Sequence, residues 1–293
     1  MPRGAYIGIN NVARKIKKGF IGVDGIARRI KKAYVGVGGV ARPCWGSGEL
    51  TYYGAIESLN QGQERVYLAA THIGNYALFG GGSDYNEASF SSTVDAYDTS
   101  LTRTTPTELS VARNKLEATH IGNYALFGGG RPETRSWIFS STVDAYNTSL
   151  TRTTPTTLSI ARQDLEATHV GNYALFGGGD ASYYGTGVSN MSPTVDAYDT
   201  SLTRTTPTEL SVARIRYAAT HVGDYALFGG GHDNDETSVV DAYNTSLTRT
   251  TPTVLHKRVE YLAATHVGDY ALFGGGTGSD ENDGATVSAY VVL

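Results

Sequence analysis

From residue 64 onward, short apolar runs alternate with tight polar turns, and the same pattern returns five times. Thr-His-(Ile/Val)-Gly-(Asn/Asp)-Tyr-Ala-Leu-Phe-Gly-Gly-Gly recurs with its histidines at His72, His120, His169, His221 and His266. The spacings are 48, 49, 52 and 45 residues. Period-2 alternation broken by Gly-Asn or Gly-Asp predicts strands joined by two-residue hairpin turns. In the second repeat the pattern predicts strands over Leu116–Ile121, Tyr124–Phe127, Thr142–Tyr146 and Leu150–Leu158. Pro155 suits an outer, edge-exposed fourth strand, because proline cannot donate to a central ladder.

Four strands in a period of 45–52 residues make one propeller blade. The expected fold is therefore all-β: a five-bladed β-propeller of four-stranded blades. The last repeat stops after its third strand, at Leu293. The segment Leu50–Leu59 aligns with the fourth strand Leu101–Leu109, starting Leu-Thr and ending in Leu. The expectation is that this N-terminal strand closes the ring by pairing with the final blade, which would remove the exposed edges of an open array.

A second repeat, of period 14, occupies the N-terminus. Its units are Ala5–Arg14, Gly19–Arg28 and Ala33–Arg42, centred on Asn-Asn, Asp-Gly and Gly-Gly. Each predicts a hairpin. Across the first turn Ile9 faces Val12, Ala5 faces Ile16 and Tyr6 faces Lys15. One such hairpin is marginal alone, so the three are expected to stack on each other, on further copies or on a partner. Residues 1–46 form this arm and 47–293 the propeller.

Charge separates the two parts. The net charge of −4 combines an arm with ten Lys or Arg and one acid, Asp24, with a body of 14 basic and 27 acidic residues. Arg14, Lys15, Lys17, Lys18, Arg28, Arg29, Lys31 and Lys32 are the candidate assembly contacts of the arm. With few aromatics and no nucleic-acid motif, the arm points to protein partners or a homo-oligomer rather than to nucleic acid. Cys44 is the only cysteine, which excludes an intrachain disulfide and a thiolate metal site. The basic N-terminus lacks the apolar run of a signal peptide, and no run of 18 apolar residues exists. The chain is expected to be made in the cytoplasm and to reach the outside only as part of a particle.

The glycine run after an apolar strand, Tyr97-Asp98, Tyr198-Asp199 and the arginine of Val111-Ala112-Arg113 resemble kelch repeats over residues 50–293. Thr104 stands where kelch blades usually carry a tryptophan. The arm resembles the Val-Gly-Val-x-Gly-Val-Ala-Arg repeats of structural proteins of phages and prophages of Gram-positive bacteria. Together these resemblances imply a non-enzymatic, tail-associated virion protein. Its arm would hold other virion or tail proteins, and its propeller would bind a host-surface glycan or protein. The alternatives are a bacterial lectin or interaction scaffold without a virion role, and a glycan-acting propeller enzyme.

The candidate chemistry is sparse. A catalytic centre needs distinct groups in distinct roles, whereas the five histidines supply one group five times. They are expected to make a repeated inter-blade hydrogen bond. The glycine triplets lack the helix and the Gly-Lys-Ser/Thr of a phosphate loop. Arg65, Arg113, Arg162 and Arg214, each seven residues before a repeat histidine, are expected to tie a connection to the neighbouring blade; Val259 replaces the fifth. The acidic runs Asp233, Asp235, Glu236 and Asp280, Glu281, Asp283 lack EF-hand spacing and read as solvated loops, with calcium as the alternative. The sequons at Asn147 and Asn244 carry no weight without a signal peptide. A cysteine–tyrosine radical site is impossible in the propeller, and Asp-box repeats are absent. No catalytic residue, metal or cofactor is expected.

Comparing repeats locates the recognition face. The turns between first and second strands are always Gly-Asn or Gly-Asp, and the internal turns after third strands are always Asp-Thr-Ser-Leu or Asn-Thr-Ser-Leu. Loops between second and third strands differ completely, and so do the segments before first strands. Strands alternate in direction, so constant and variable loops emerge on opposite faces. Tyr85, Phe90, Trp137, Phe139, Tyr183, Tyr184 and His232 on the variable side are the expected ligand contacts.

Overall fold

The computed structural model describes residues 54–59, 64–132, 138–181, 190–279 and 285–292, together with the backbone of six strands before residue 46. Two compact units emerge, residues 1–55 and 56–293.

The first unit contains three antiparallel hairpins: β1 (Tyr6–Ile9) with β2 (Val12–Lys15), β3 (Gly19–Val23) with β4 (Ile26–Ile30), and β5 (Ala33–Val37) with β6 (Val40–Trp45). Tyr6 stands opposite Lys15 and Ile9 opposite Val12, the register that the Asn-Asn turn predicts. Pairing slips between Ala33 and Tyr34, opposite Pro43, whose missing N–H interrupts a regular ladder.

The second unit is five blades. Blade 1 is β7 (Ala69–Ile73), β8 (Tyr76–Gly80), β9 (Val94–Tyr97) and β10 (Arg103–Thr104). Blade 2 is β11 (Glu117–Ile121), β12 (Tyr124–Gly128), β13 (Val143–Asn147) and β14 (Arg152–Thr153). Blade 3 is β15 (Glu166–Val170), β16 (Tyr173–Gly177), β17 (Val195–Asp199) and β18 (Arg204–Thr205). Blade 4 is β19 (Ala218–Val222), β20 (Tyr225–Gly229), β21 (Val240–Asn244) and β22 (Arg249–Thr250). Blade 5 is β23 (Ala263–Val267), β24 (Tyr270–Gly274) and β25 (Val287–Val291). Each sheet is an antiparallel meander, and first strands of successive blades pack against one another around a common axis. Fourth strands are two residues long, shorter than the pattern predicts. Leu150 turns into the left-handed region at φ 60°, and Pro155 cannot extend the ladder.

Blades lock by close backbone approach. A Cβ on Gly80, Gly128, Gly177 or Gly229 would stand 2.8–3.0 Å from the ring of Phe127, Phe176, Phe228 or Phe273 in the next blade. Only glycine admits the ring. Each of these rings is buried and stabilises its interface by about 1.5–3 kcal/mol. Each also meets the tyrosine of its own third strand edge-on, as Phe127 meets Tyr146 at 5.9 Å and 87°.

A buried charge cluster crosses the same interfaces. Arg162, arriving from the blade 2 connection, pairs with Asp196 of blade 3 at 2.8 Å with both side chains fully buried. It also donates to the Phe176 carbonyl. Arg204 pairs with the other carboxylate oxygen at 3.0 Å, and the Ser159 N–H donates there too. Arg113–Asp144–Arg152 and Arg214–Asp241–Arg249 repeat the cluster, and Arg65–Asp95–Arg103 begins the series. The repeated arginines therefore tie connections to neighbouring blades, as their spacing suggests. In blade 5, Val259 is buried in the arginine's place, and Ser288 accepts from the His256 N–H in place of the aspartate. Both partners are exchanged together, so no buried charge is left alone.

The junction ahead of blade 1 follows the pattern of the others. Third-strand tyrosines donate to carbonyls of the preceding connection: Tyr146 to Thr107, Tyr198 to Thr156, Tyr243 to Thr208 and Tyr290 to Thr253, all at 2.7 Å. Tyr97 of blade 1 donates to Glu57. Residues 54–59 thus take the place of a preceding fourth-strand segment, but against the first blade. Among the described residues the fifth sheet keeps three strands; 50–53 lie outside them. The alignment of Leu50–Leu59 with Leu101–Leu109 holds over residues 54–59: as at every other junction, the tail of a fourth strand serves the blade that follows it, and the part expected to pair with the last blade lies outside the described residues.

The charge cluster yields a test. Asp196→Ala leaves Arg162 buried without its counter-ion and is expected to cost about 3–5 kcal/mol in urea denaturation. Arg162→Val with Asp196→Ser, the residues blade 5 uses, should recover most of that loss. A cost under about 1 kcal/mol for Asp196→Ala would mean that the cluster does not hold the interface.

Candidate functional site

The two faces of the blade unit differ as their loops do. On the constant face, Gly74, Gly122 and Gly171 approach Thr148, Thr200 and Thr245 of the next blade. On the opposite face, bridges join the residue before each first strand to the residue after each glycine triplet. These are Val66–Ser83, Asn114–Arg131, Gln163–Asp180, Ile215–His232 and Glu260–Thr277. The backbone there is constant, and the side chains change from blade to blade.

Between them runs the axis, lined by the histidines. Successive imidazoles from His72 to His266 lie 4.1–4.5 Å apart, tilted by 45–51°. The inter-blade contact they make is ring against ring, in place of the expected hydrogen bond. Burial holds His120 down at about 4 and His169 at about 3, with the neighbouring imidazoles adding to the effect, and it lowers His221 too. These three imidazoles are neutral at physiological pH.

At the variable mouth of this axis sits a ring the sequence did not reveal. Tyr67, Lys115, Asp164, Arg216 and Tyr261, one per blade and two residues before each first strand, have φ of 50–58°. That left-handed conformation is strained for side chains other than glycine. Backbone bonds join neighbours: the Lys115 N–H donates to the Tyr67 carbonyl, Asp164 to Lys115, and Tyr261 to Arg216. The Lys115 ammonium lies 5.4 Å from the centre of the Tyr67 ring, and the Arg216 guanidinium 4.8 Å from that of Tyr261. Glu87 pairs with Lys115 and Arg131; Glu260 pairs with Arg216 and His232.

Beneath that ring, Glu117 and Glu166 begin β11 and β15, where the other blades carry Ala69, Ala218 and Ala263. Burial raises Glu117 to about 7, with Asp164 adding to it and the Ala118 N–H opposing. Glu166 is raised well above the ordinary carboxyl range by burial and then by Glu117. A carboxyl near 7 such as Glu117 can both donate and accept hydrogen bonds at neutral pH. The Ala-to-Glu change at one repeat position was the signal available in the sequence.

Of the expected contacts, Tyr85 is 83% exposed on the blade 1 loop. Phe90 is half-buried, with Arg131 5.5 Å from its ring centre. His232 Nδ1 lies 3.3 Å from Glu260, beside the mouth. Phe139 is buried and packs inward, which removes it as a contact: only part of an apolar loop can face water. Trp137, Tyr183 and Tyr184 lie outside the described residues. Of the arm residues, Arg14, Lys15, Arg28 and Arg29 fall on β2 and β4, and Lys17, Lys18, Lys31 and Lys32 outside the described residues. Asp235 pairs with Arg258 at 3.0 Å. Among the described residues no cluster of three or more His, Cys, Asp or Glu is placed to hold a metal; Asp280, Glu281 and Asp283 lie outside them. No described helix is long and apolar enough to cross a membrane.

Comparison with known proteins bears on the fold. No family model and no curated protein matches the sequence. A solved structure, titled "Structure of YjhT", superposes with a TM-score of 0.58 at 13% identity, covering 74% of this chain and 74% of that one. That neighbour is a kelch-like, β-propeller-type protein. The fold is a kelch-like propeller. At this identity the likeness establishes architecture alone, so the chemistry of this propeller rests on its own residues.

Opposed pH effects follow from the axis. The unfolded chain protonates its histidines near 6.5, while folded His120 and His169 resist until about 4 and 3. Their contribution to stability is whole above pH 6.5 and drains as pH falls through that window, by up to about 1.4 kcal/mol per unit for each. The carboxyl pair runs the other way. Its penalty grows as pH rises above about 4.5, where the unfolded carboxyls ionise, and disappears well below that value, where both states are protonated. Glu117→Ala with Glu166→Ala should therefore raise the thermal midpoint at pH 8 and leave it nearly unchanged at about pH 3.5. His120→Leu with His169→Leu should flatten the decline between 6.5 and 4. An alanine variant with the same advantage at both pH values would refute the carboxyl assignment.

Proposed function

We propose that this chain is a non-enzymatic, tail-associated virion protein whose propeller recognises a host-surface ligand through its variable face, while the basic arm fastens it to other virion proteins. The observation that carries the recognition half is the partition of differences among repeats. Turns on one face are kept nearly identical, while side chains on the other face and around its axial mouth change with every blade. Drift in loops alone would not spare one face. Exposed tyrosines, paired cations and carboxyls raised by burial suit a polyhydroxylated ligand, since rings stack on sugars and carboxyls take hydroxyl pairs. The virion half rests on the resemblance of the arm and on its charge, opposite in sign to that of the body, which steers docking. In this reading the chain is made in the cytoplasm and carried out on the particle. A lectin or scaffold without a virion role would use the same face. A glycan-acting enzyme is favoured by one observation, the Glu117–Glu166 pair, since a carboxyl near 7 can serve as a general acid.

Tyr67→Ala with Tyr261→Ala should weaken binding to Gram-positive cells or to arrayed cell-wall glycans by about tenfold or more. Ser149→Lys with Ser201→Lys, exposed on the constant face, should leave binding intact. The reverse pattern would place recognition on the wrong face. Release of sugars that stops with Glu117→Gln would favour the enzyme.

A further inference from the structure

One blade locks into the next through the same three contacts, four times over. Between blades 1 and 2, Phe127 seats on Gly80, Thr148 on Gly74 and Leu116 on Gly81. Between blades 4 and 5, Phe273 seats on Gly229, Val292 on Gly223 and Leu262 on Gly230. Each blade thus carries glycine sockets facing forward and apolar plugs facing back.

The last blade keeps its sockets open. A Cβ at Gly268 or Gly275 would meet nothing within 4 Å, and at Gly274 only residues of its own blade. Val267 and Val287 around them are 61% and 65% exposed, whereas their counterparts Ile121 and Val143 are 3% and 0%. The first blade keeps its plugs unseated. Ala77 is exposed, although Ala125, Ala174, Ala226 and Ala271 are fully buried, and Phe79 and Leu68 are only half-buried. One molecule therefore presents both halves of an interface it already makes four times.

Among the described residues of one molecule these halves do not meet. β23 and β7 do not pack as the other successive first strands do, and the imidazole contacts run from His72 to His266 without joining the ends. Closing the gap would turn all four existing locks further, and interfaces packed at 2.8–3.0 Å have little slack. We propose that the two faces join copies of this chain head to tail, the last blade of one copy receiving the first blade of the next. The contact is heterologous, so it propagates into a chain of copies. It continues an interface already established between blades and is independent of the ligand reading.

Complementary variants of the full chain test it by sedimentation velocity. Val267→Glu with Val287→Glu blocks the socket, and Ala77→Glu blocks the plug. All three positions are exposed, so thermal midpoints should match the parent. The parent should sediment faster as its concentration rises over about a hundredfold range. Each variant alone should stay at the mass of one copy. An equimolar mixture should form a two-copy species and stop there, since one good socket meets one good plug. A parent that stays single throughout overturns the proposal. If it stays single and both variants melt earlier, the faces close within one molecule. If it stays single but takes up an unrelated protein at these faces, the occupant is not a second copy. Variants that associate like the parent also overturn it, because association would then run through another surface.

Discussion

A carboxylate buried between two guanidinium groups governs the assembly of this propeller. Asp144, Asp196 and Asp241 are each wholly buried and each is ion-paired with two arginines. One arginine belongs to the same blade, and the other arrives with the connection from the blade before. Desolvating such a group is costly unless its partners are in place. The interface is therefore close to all-or-none: the connection must run along its prescribed path before the blade it enters can bury its third strand. The tyrosine hydroxyl that takes a carbonyl of that same connection pins the path at a second point. With both ends fixed, the phenylalanine ring lands on the glycine of the preceding blade, and packing supplies the rest.

That constraint explains why the array ends as it does. The first blade receives Arg65 and the carbonyl of Glu57 from a short stretch of chain, so its charged half-site is complete although no blade precedes it. The last blade dispenses with the cluster: Val259 and Ser288 replace arginine and aspartate together. Each end is thus satisfied electrostatically and left open sterically. Open apolar faces without buried unpaired charge can persist in water and still associate.

Much of this was legible in the sequence. The histidine spacing, the hairpin turns and the glycine triplets gave the blades, because a near-exact repeat leaves little freedom in how strands are cut. The arginine ties were legible for the same reason. Aligning Leu50–Leu59 with Leu101–Leu109 says which segment it imitates, but only the tyrosine bond shows which blade that segment serves. Val259 and Ser288 are two separate oddities in the sequence and one exchange in space. The axial mouth was hidden because its members come from five repeats. Tyr67, Lys115, Asp164, Arg216 and Tyr261 look like loop variation until the axis gathers them. Phe139 shows the converse error, since an aromatic in a variable loop can be core.

What remains is why a repeat copied so faithfully should carry a costly pair at its axis. Ala69, Ala218 and Ala263 show that alanine fits the start of a first strand, so Glu117 and Glu166 are not demanded by the fold. Two carboxyls raised by burial, Glu166 also by Glu117, oppose folding at neutral pH, and the residues above them hold a strained backbone. The strain recurs in every blade and so belongs to the scaffold, but the carboxyls do not. A destabilising feature confined to two adjacent blades, at the meeting point of every variable segment, is more economically explained by what it contacts than by what it supports. The same propeller can then be repeated cheaply for stability while a few side chains at one mouth are exchanged for recognition.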